Sequence, residues 1–338
     1  LTALVSPRLD RFIQTRHESS AEGEVQSLNL ETLEYDTNRN HTALLAGLLK
    51  KLVHEGYDVS KGMDITIGGP LEKESGLGFD SSLLMLLLTL VLDQNSIDLK
   101  KDKRLRYANH VMGRIDLPMS TPTDPLTLLN GEAQHLLFCN SKTFECEKVA
   151  FDFGNYALVL FNTNRNPEHS LNSVRKRQEE VTEAFQTIHR KRVIDSLCDL
   201  DIREFNTLKE LIRKPTAKKR VEHVVFESDR ADQAKDAIER GDYILLSGLI
   251  EQSHTSLKEL YEVSGEELNF LATETEKLGA LASKLTGVGF GGALVALFER
   301  SDIPKDFSDL KHRYQKRFHK ALDVFELKSE NTVRKIKP

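Results

Sequence analysis

The amino-acid sequence predicts an α+β fold with two lobes. The length of 338 residues allows one large domain or two ordinary ones. Short segments typical of strands alternate along the chain with segments whose apolar residues recur at helical spacing. Two glycine-rich loops, at residues 74–82 and 286–292, each lead into a strongly apolar segment. We expect the two lobes to meet near these loops.

The first half of the chain contains both kinds of element. A weakly alternating segment at 3–15 and an apolar segment at 63–67 predict strands, and a polar break is expected at 36–40. Helical spacing predicts helices over 42–54, 83–92 and 101–111. A proline-rich turn then follows at 117–125.

In the second half, strands are predicted at 135–140, 144–151 and 156–161, followed by a charged helix over 173–192. Residues 217–275 are predicted to be mostly helical, interrupted at Gly241 and Gly265. A helix over 307–322 and a last strand over 321–327 complete the prediction.

Composition excludes several classes of function. The net charge of −5 gives no general attraction to nucleic acid or to an anionic membrane. No apolar run is long enough to span a bilayer, no signal peptide is visible, and the eleven histidines show no zinc-ligand spacing. Three cysteines without a CxxC pattern favour a reducing cytoplasm. Because the chain begins with Leu1, we expect its natural N-terminus to lie upstream.

The loop at 286–292 has four glycines in six residues and precedes an apolar segment of strand length. It does not fit the dinucleotide-binding fingerprint, in which a helix follows the glycines. A hairpin within a sheet and a functional loop pressed against another backbone both remain open.

The loop at 74–82 lies between a predicted strand and an apolar helix. That arrangement points backbone N–H groups and a helix dipole at an anion. The alternative is a plain helix N-terminus capped by Asp80, Ser81 or Ser82. The candidate phosphate-binding residues are Gly76, Leu77, Gly78, Phe79, Asp80, Ser81 and Ser82.

Asp124 precedes Pro125, as a helix N-cap often precedes a proline in the first helical position. We therefore predict that its side chain accepts a backbone N–H one or two residues beyond Pro125.

The order of motifs resembles the GHMP kinase superfamily, and most closely the galactokinase family, over nearly the whole chain. The segment from Leu278 through the glycines is similar to the family's third motif. Other similar segments are Asn162-Thr163-Asn164, Val174-Arg175-Lys176-Arg177-Gln178, Val221-Glu222-His223-Val224-Val225-Phe226-Glu227, Ser253-His254-Thr255-Ser256-Leu257, Tyr261-Glu262-Val263-Ser264-Gly265 and Glu267-Leu268.

The resemblance implies a ribosomal S5-like N-terminal lobe over 1–150 and a ferredoxin-like C-terminal lobe over 151–338. ATP phosphates would lie on residues 76–82, supported by a third motif that contains Gly289 and Gly291. Asp124 would act on the anomeric hydroxyl of galactose, and ATP with magnesium would give galactose 1-phosphate. The loop at 286–292 is expected to lie against the loop at 76–82.

The departures from the family pattern are as informative. The family's first motif, with its Arg and its sugar-gripping Glu-His-Thr-Asp run, has no counterpart here, and the similar-looking Gly113-Arg114-Ile115 lacks that run. Phe79 and Asp80 replace family hydroxyl residues. By spacing, Met112 falls where the family has a magnesium-binding Glu, and Asn172 where it has a sugar-contacting Tyr.

These departures leave three hypotheses. The chain is a galactokinase-like protein with a degenerate active site, a working sugar kinase whose first segment lies upstream, or a regulatory or interaction protein without nucleotide. Asp80 would either repel the triphosphate or serve as a magnesium ligand. Phe79 would add bulk where the backbone should approach phosphate.

Overall fold

The computed structural model describes residues 1–18, 25–33, 41–69, 71, 77–115, 121, 123–140, 142–165 and 170–336. The chain divides into two compact units. The first consists of Leu1–Lys73, Gly78–Gly131 and Asn331–Pro338, and the second of Glu74–Leu77 and Glu132–Glu330. The polar break at 36–40 and most of the proline-rich turn lie outside the described residues.

The first unit combines a four-stranded sheet with four helices among its described residues. Its elements are β1 (Thr2–Pro7), β2 (Phe12–His17), β3 (Gln26–Asn29), α1 (His41–His54), β4 (Met63–Gly68), α2 (Phe79–Gln94), α3 (Lys101–Ile115) and α4 (Thr123–Asn130). The strand order is β1-β4-β2-β3, with β2 and β4 parallel and the other pairs antiparallel. The helices predicted at 42–54 and 101–111 and the strand at 63–67 are confirmed.

The prediction of one strand over 3–15 is wrong, because the segment forms two strands separated by β4 in the sheet. Arg8 pairs with Asp10 at 2.6 Å, and Leu9 between them is exposed. The turn thus lies where the apolar alternation breaks down. On β2 the alternation does place Ile13 and Thr15 in the interior.

Helix α2 is the central element of the first unit. It is apolar on nearly all sides, and it contacts α1, α3 and α4. A helix with this composition is stable only when surrounded by other elements. It begins at Phe79, four residues earlier than predicted, and therefore includes part of the expected loop.

The second unit contains β5 (His135–Cys139), β6 (Cys146–Ala150), β7 (Tyr156–Asn162), α5 (Leu171–His189), α6 (Ile202–Leu208), α7 (Pro215–Glu239), α8 (Tyr243–Ser256), α9 (Glu266–Lys277), β8 (Ala282–Leu285), β9 (Ala293–Glu299), α10 (Ser308–Phe318) and β10 (Asp323–Leu327). A π-helical turn, Leu257–Tyr261, follows α8. The sheet order β10-β7-β9-β8 is antiparallel throughout, as in a ferredoxin-like split βαβ arrangement.

Both faces of this sheet are covered. Val159, Phe161 and Leu294 on one face pack with Leu271 of α9 and Tyr314 of α10. A separate cluster joins Leu297 to residues of α7 and α8. Helix α6, which the sequence pattern did not predict, packs with α5 and α7 in a third cluster.

The hairpin β5–β6 belongs to the second unit, whereas the sequence analysis placed the lobe boundary after residue 150. Lys235 of α7 contacts this hairpin, since it forms an ion pair with Glu147 at 2.7 Å and lies over the Phe138 ring. Cys139 and Cys146 face each other in this hairpin and form a disulfide, which the expectation of reduced cysteines did not include. Cys198 is free and exposed.

Within the described ranges, no helix is long and apolar enough to cross a membrane.

Candidate functional site

The N-terminus of α2 is formed by a glycine, and no side chain of the described residues caps it. Gly78 has a left-handed backbone with φ of 77°, and the Ser82 N–H donates to its carbonyl at 2.9 Å. Asp80, Ser81 and Ser82 lie inside the first turn, so the alternative in which one of them caps the helix is wrong. An uncapped helix N-terminus offers backbone N–H groups to an anion. Gly76 lies outside the described residues.

Asp124 is brought to this helix start. The buried Ser81 hydroxyl donates to its carboxylate at 2.9 Å. The hydroxyl of Thr121 donates at 2.6 Å and the Thr121 N–H at 3.0 Å. The predicted cap is therefore wrong: α4 begins at Thr123, which places Asp124 inside its first turn, and the carboxylate reaches backwards along the chain.

Phe79 and Asp80, the two loop residues that depart from the expected family pattern, have side chains that point in different directions. The Phe79 side chain is only 7% exposed, and its ring lies 6.3 Å from that of His17. It packs into the unit, so the expectation of added bulk at a phosphate is wrong. Asp80 is half-buried in the first turn of α2. Its action on a bound triphosphate or metal remains a prediction.

In the second unit, the glycine-rich loop joins β8 to β9, as the hairpin interpretation predicted. The Phe290 N–H donates to the Val263 carbonyl at 2.7 Å. Gly289 has a φ of 78°, and a Cβ there would lie 2.5 Å from the same carbonyl oxygen. Only glycine allows this approach of two backbones. On the other side, the Thr163 N–H and hydroxyl both donate to the Gly292 carbonyl, at 2.9 and 2.7 Å.

The segment that receives the loop is itself fixed by two arginines. Arg220, 1% exposed, donates to Glu180 at 2.9 Å, to Glu262 at 2.7 Å and to a carbonyl of the π-helical turn. Its guanidinium holds the pKa of the Glu262 carboxyl below the usual range. Arg177 donates to the Tyr261 carbonyl at 2.7 Å and lies over the Phe290 ring. Val263 is thus presented to the loop by a rigid ion-pair network.

At the position where the family has its magnesium-binding Glu, this chain has a residue that does not fit that role. Met112 is buried on α3, and a thioether does not ligate a hard cation such as Mg²⁺. Asn172 is exposed in the first turn of α5. Among the residues that the structure describes, no group of three or more His, Cys, Asp or Glu side chains could hold a metal ion.

Sequence reasoning identified the two loops and Asp124 but not what holds them. Thr121 lies three residues before Asp124 in the sequence. Its hydroxyl could have indicated a hydrogen-bond donor to the Asp124 carboxylate. Arg177 and Arg220 lie in segments that were noted as similar to the family, but their buried pairing required the packing of α5 and α7.

Comparison with known proteins identifies the class of protein that has this arrangement. The family model for GHMP kinases C terminal matches residues 234–316. Galactokinase from Clostridium perfringens is 30% identical over 316 residues, which cover 93% of this chain and 81% of that protein. Galactokinase from Enterococcus faecalis is 28% identical over 330 residues, covering 97% and 85%.

Solved structures of the same class also match this chain. The crystal structure of Lactococcus lactis galactokinase complexed with galactose matches with a TM-score of 0.92 and 25% identity, covering 99% of this chain and 86% of that one. Mevalonate kinase from Methanococcus jannaschii, at 16% identity, matches with a TM-score of 0.60, covering 97% of this chain and 88% of that one, and shows the shared fold alone. The fold is that of the GHMP kinases. Within that superfamily, the chain belongs to the galactokinase family.

Proposed function

We propose that this chain is a galactokinase-like protein that binds ATP and galactose or a related sugar but transfers the phosphoryl group slowly or not at all. The family reaction is the ATP-dependent phosphorylation of galactose at its anomeric hydroxyl, a step of galactose metabolism in the cytoplasm. One observation carries the proposal: the Asp124 carboxylate already accepts three hydrogen bonds, from Ser81 and Thr121.

A carboxylate that accepts a proton from a sugar must have an oxygen directed at the sugar hydroxyl. Both oxygens of Asp124 accept hydrogen bonds from the protein itself. Phosphoryl transfer also requires neutralisation of the charge on the phosphate oxygens. Met112 supplies no oxygen for a metal, and Asp80 adds a negative charge to the helix N-terminus that would hold the phosphates.

A working sugar kinase is the second candidate, and one observation favours it. Asp124 and Ser81 lie together at the N-terminus of α2. A catalytic carboxylate beside an anion-binding helix terminus is the juxtaposition that phosphoryl transfer to a hydroxyl needs. On this alternative, substrate binding would displace the Ser81 and Thr121 donors from one carboxylate oxygen.

Calorimetric titration with ATP, and separately with galactose, tests the binding part of the proposal. ATP should bind with a Kd between about 1 μM and 1 mM, the usual range for enzyme substrates. Absence of binding for both ligands would favour the third hypothesis, a regulatory or interaction protein without nucleotide.

The same titration with Asp80→Asn distinguishes the two roles open to Asp80. If the carboxylate repels the triphosphate, the variant binds ATP more tightly in the presence of magnesium. If the carboxylate ligates magnesium, the variant binds ATP more weakly. Asp98→Asn removes an exposed carboxylate beyond the C-terminus of α2 and should leave the Kd unchanged.

A further inference from the structure

The second unit contains a cavity of about 450 Å³ beside the sheet, walled by α7 and α8. Its apolar walls come from Leu158, Ile250, Val295 and Leu297. Its polar residues are His223, Glu227, Lys284 and Thr286. The volume lies within the range typical of small-molecule sites, and a few polar groups on apolar walls are the usual composition of such sites.

Lys284 is a charged group of this cavity whose ammonium has no hydrogen-bond acceptor among the described residues. Its nearest carboxylate oxygen is Glu227 Oε2, at 3.6 Å. Glu227 is already engaged, because it forms an ion pair with Arg230 and accepts a hydrogen bond from the Ser253 hydroxyl. The Lys284 side chain is 40% exposed and its ion pair with Glu227 is long, so its ammonium can donate hydrogen bonds to an occupant of the cavity.

The charges around Lys284 favour an anion. From α7, it faces Arg230, Glu227 and His223, and from α8 it faces His254. Burial lowers the pKa of both histidines to about 4, so they are neutral at pH 7. The charged groups at this end of the cavity are thus two cations, Lys284 and Arg230, and one carboxylate, Glu227. Burial, followed by repulsion from Arg230, also lowers the pKa of Lys284 to about 8.

We propose that this cavity binds a small organic carboxylate, whose anionic head accepts hydrogen bonds from Lys284 and whose apolar body lies on Leu158, Val295 and Leu297. A charge-assisted hydrogen bond and buried apolar surface together supply the affinity. Thr286 and Gly287 border the same cavity, so the occupant contacts the start of the glycine-rich loop. The site uses neither Asp124 nor the N-terminus of α2 and does not depend on phosphoryl transfer.

Calorimetric titration of the full chain with octanoate, and with 1-octanol as the uncharged analogue, tests this proposal at pH 7. Octanoate should bind at least about tenfold more tightly than octanol. Lys284→Met should weaken octanoate binding by about tenfold or more, because a hydrogen bond to a charged group is lost. Lys284→Arg retains the charge and should bind octanoate. Lys305→Met removes an exposed lysine outside the cavity and should bind as the unmodified chain does.

A pH series provides a signature of Lys284 itself. Octanoate should bind about tenfold more weakly at pH 9 than at pH 7, because a pKa near 8 leaves most of the Lys284 amine neutral at pH 9. The Arg variant should show no such loss. Equal binding of octanoate and octanol, undiminished octanoate binding by Lys284→Met, or no octanoate binding at all would overturn the proposal.

Discussion

The two glycine-containing loops are held in different ways. In the second unit, Gly289 is pressed against the Val263 carbonyl, a contact that any side chain would block. In the first unit, a Cβ at Gly78 would come no closer than 4.0 Å to any residue that the structure describes, the nearest being Asp124. Backbone contact therefore fixes the glycine-rich loop of the second unit, whereas side-chain hydrogen bonds organise the loop at the start of α2 in the first unit.

This difference shows where the family pattern can change without loss of the fold. A loop held by backbone packing requires glycine whether or not the protein is an enzyme. We expect a helix start organised by Ser81 and Asp124 to accept substitutions beside it, at Phe79 and Asp80. This expectation agrees with a sequence resemblance that is closer in the glycine-rich loop of the second unit than at residues 76–82.

The largest expected effect is that of Gly289→Ala. A Cβ 2.5 Å from the Val263 oxygen, at a left-handed φ, should lower the free energy of unfolding by about 3 kcal/mol or more. Gly287→Ala is the matched control, because Gly287 has a φ of 70° in the same loop and no described residue lies within 4 Å of a Cβ placed there. It should cost only about 1 kcal/mol. Urea denaturation of both variants measures the difference, and equal losses would show that the backbone contact contributes nothing.

Arg220→Met should lower the free energy of unfolding by about 3 kcal/mol, because Glu180, Glu262 and a carbonyl of the π-helical turn all lose a buried, charged donor. The same denaturation experiment on Arg192→Met provides the control. Arg192 is half-exposed and pairs with Glu204 at 3.5 Å, so its loss should cost no more than about 0.5 kcal/mol. If the two substitutions cost the same, the network around Val263 does not stabilise the loop.

Asp124→Ala should cost about 2 kcal/mol, since it leaves the buried Ser81 hydroxyl and the Thr121 N–H without their acceptor. Asp124→Asn keeps one acceptor oxygen and should cost about 1 kcal/mol. Asp98→Ala, at an exposed position, should change stability by less than about 0.5 kcal/mol. Thermal denaturation ranks the three variants. An unchanged melting temperature for Asp124→Ala would mean that these hydrogen bonds do not organise the helix start.

Stability should fall as the pH decreases from about 6.5 to 4. The pKa of His223 and of His254 is lowered to about 4 in the folded chain, whereas an unfolded histidine titrates near 6.5. Between these values the unfolded chain binds more protons, so acid favours unfolding. Each histidine should contribute about 1 to 2 kcal/mol of loss between pH 7 and 5.

Urea denaturation of His223→Gln at both pH values tests this assignment. The variant should lose less stability on acidification than the unmodified chain does. His312→Gln, which changes an exposed histidine, should lose as much as the unmodified chain. A pH dependence that is identical in all three proteins would contradict the role of His223.

Much of the fold could be predicted from sequence because the periodic segments are long. The Leu44–Leu52 spacing predicted α1, and the glycines before an apolar segment gave the β8–β9 hairpin as one of two interpretations. The sequence could not show that Asp124 lies inside α4, because Asp before Pro fits a cap equally well. The sequence also could not show that Phe79 packs into the first unit, because adjacent residues of a helix point in different directions and the helix start was placed four residues too late.

The central claim is that the first unit retains the family scaffold without an efficient phosphotransfer site. A coupled assay of the unmodified chain with ATP, magnesium and galactose tests it most directly. We predict turnover well below about 1 per second, the lower end for kinases. Turnover of about 1 to 100 per second that disappears in Asp124→Asn would contradict the claim, because the loss would assign the activity to this chain and to that carboxylate.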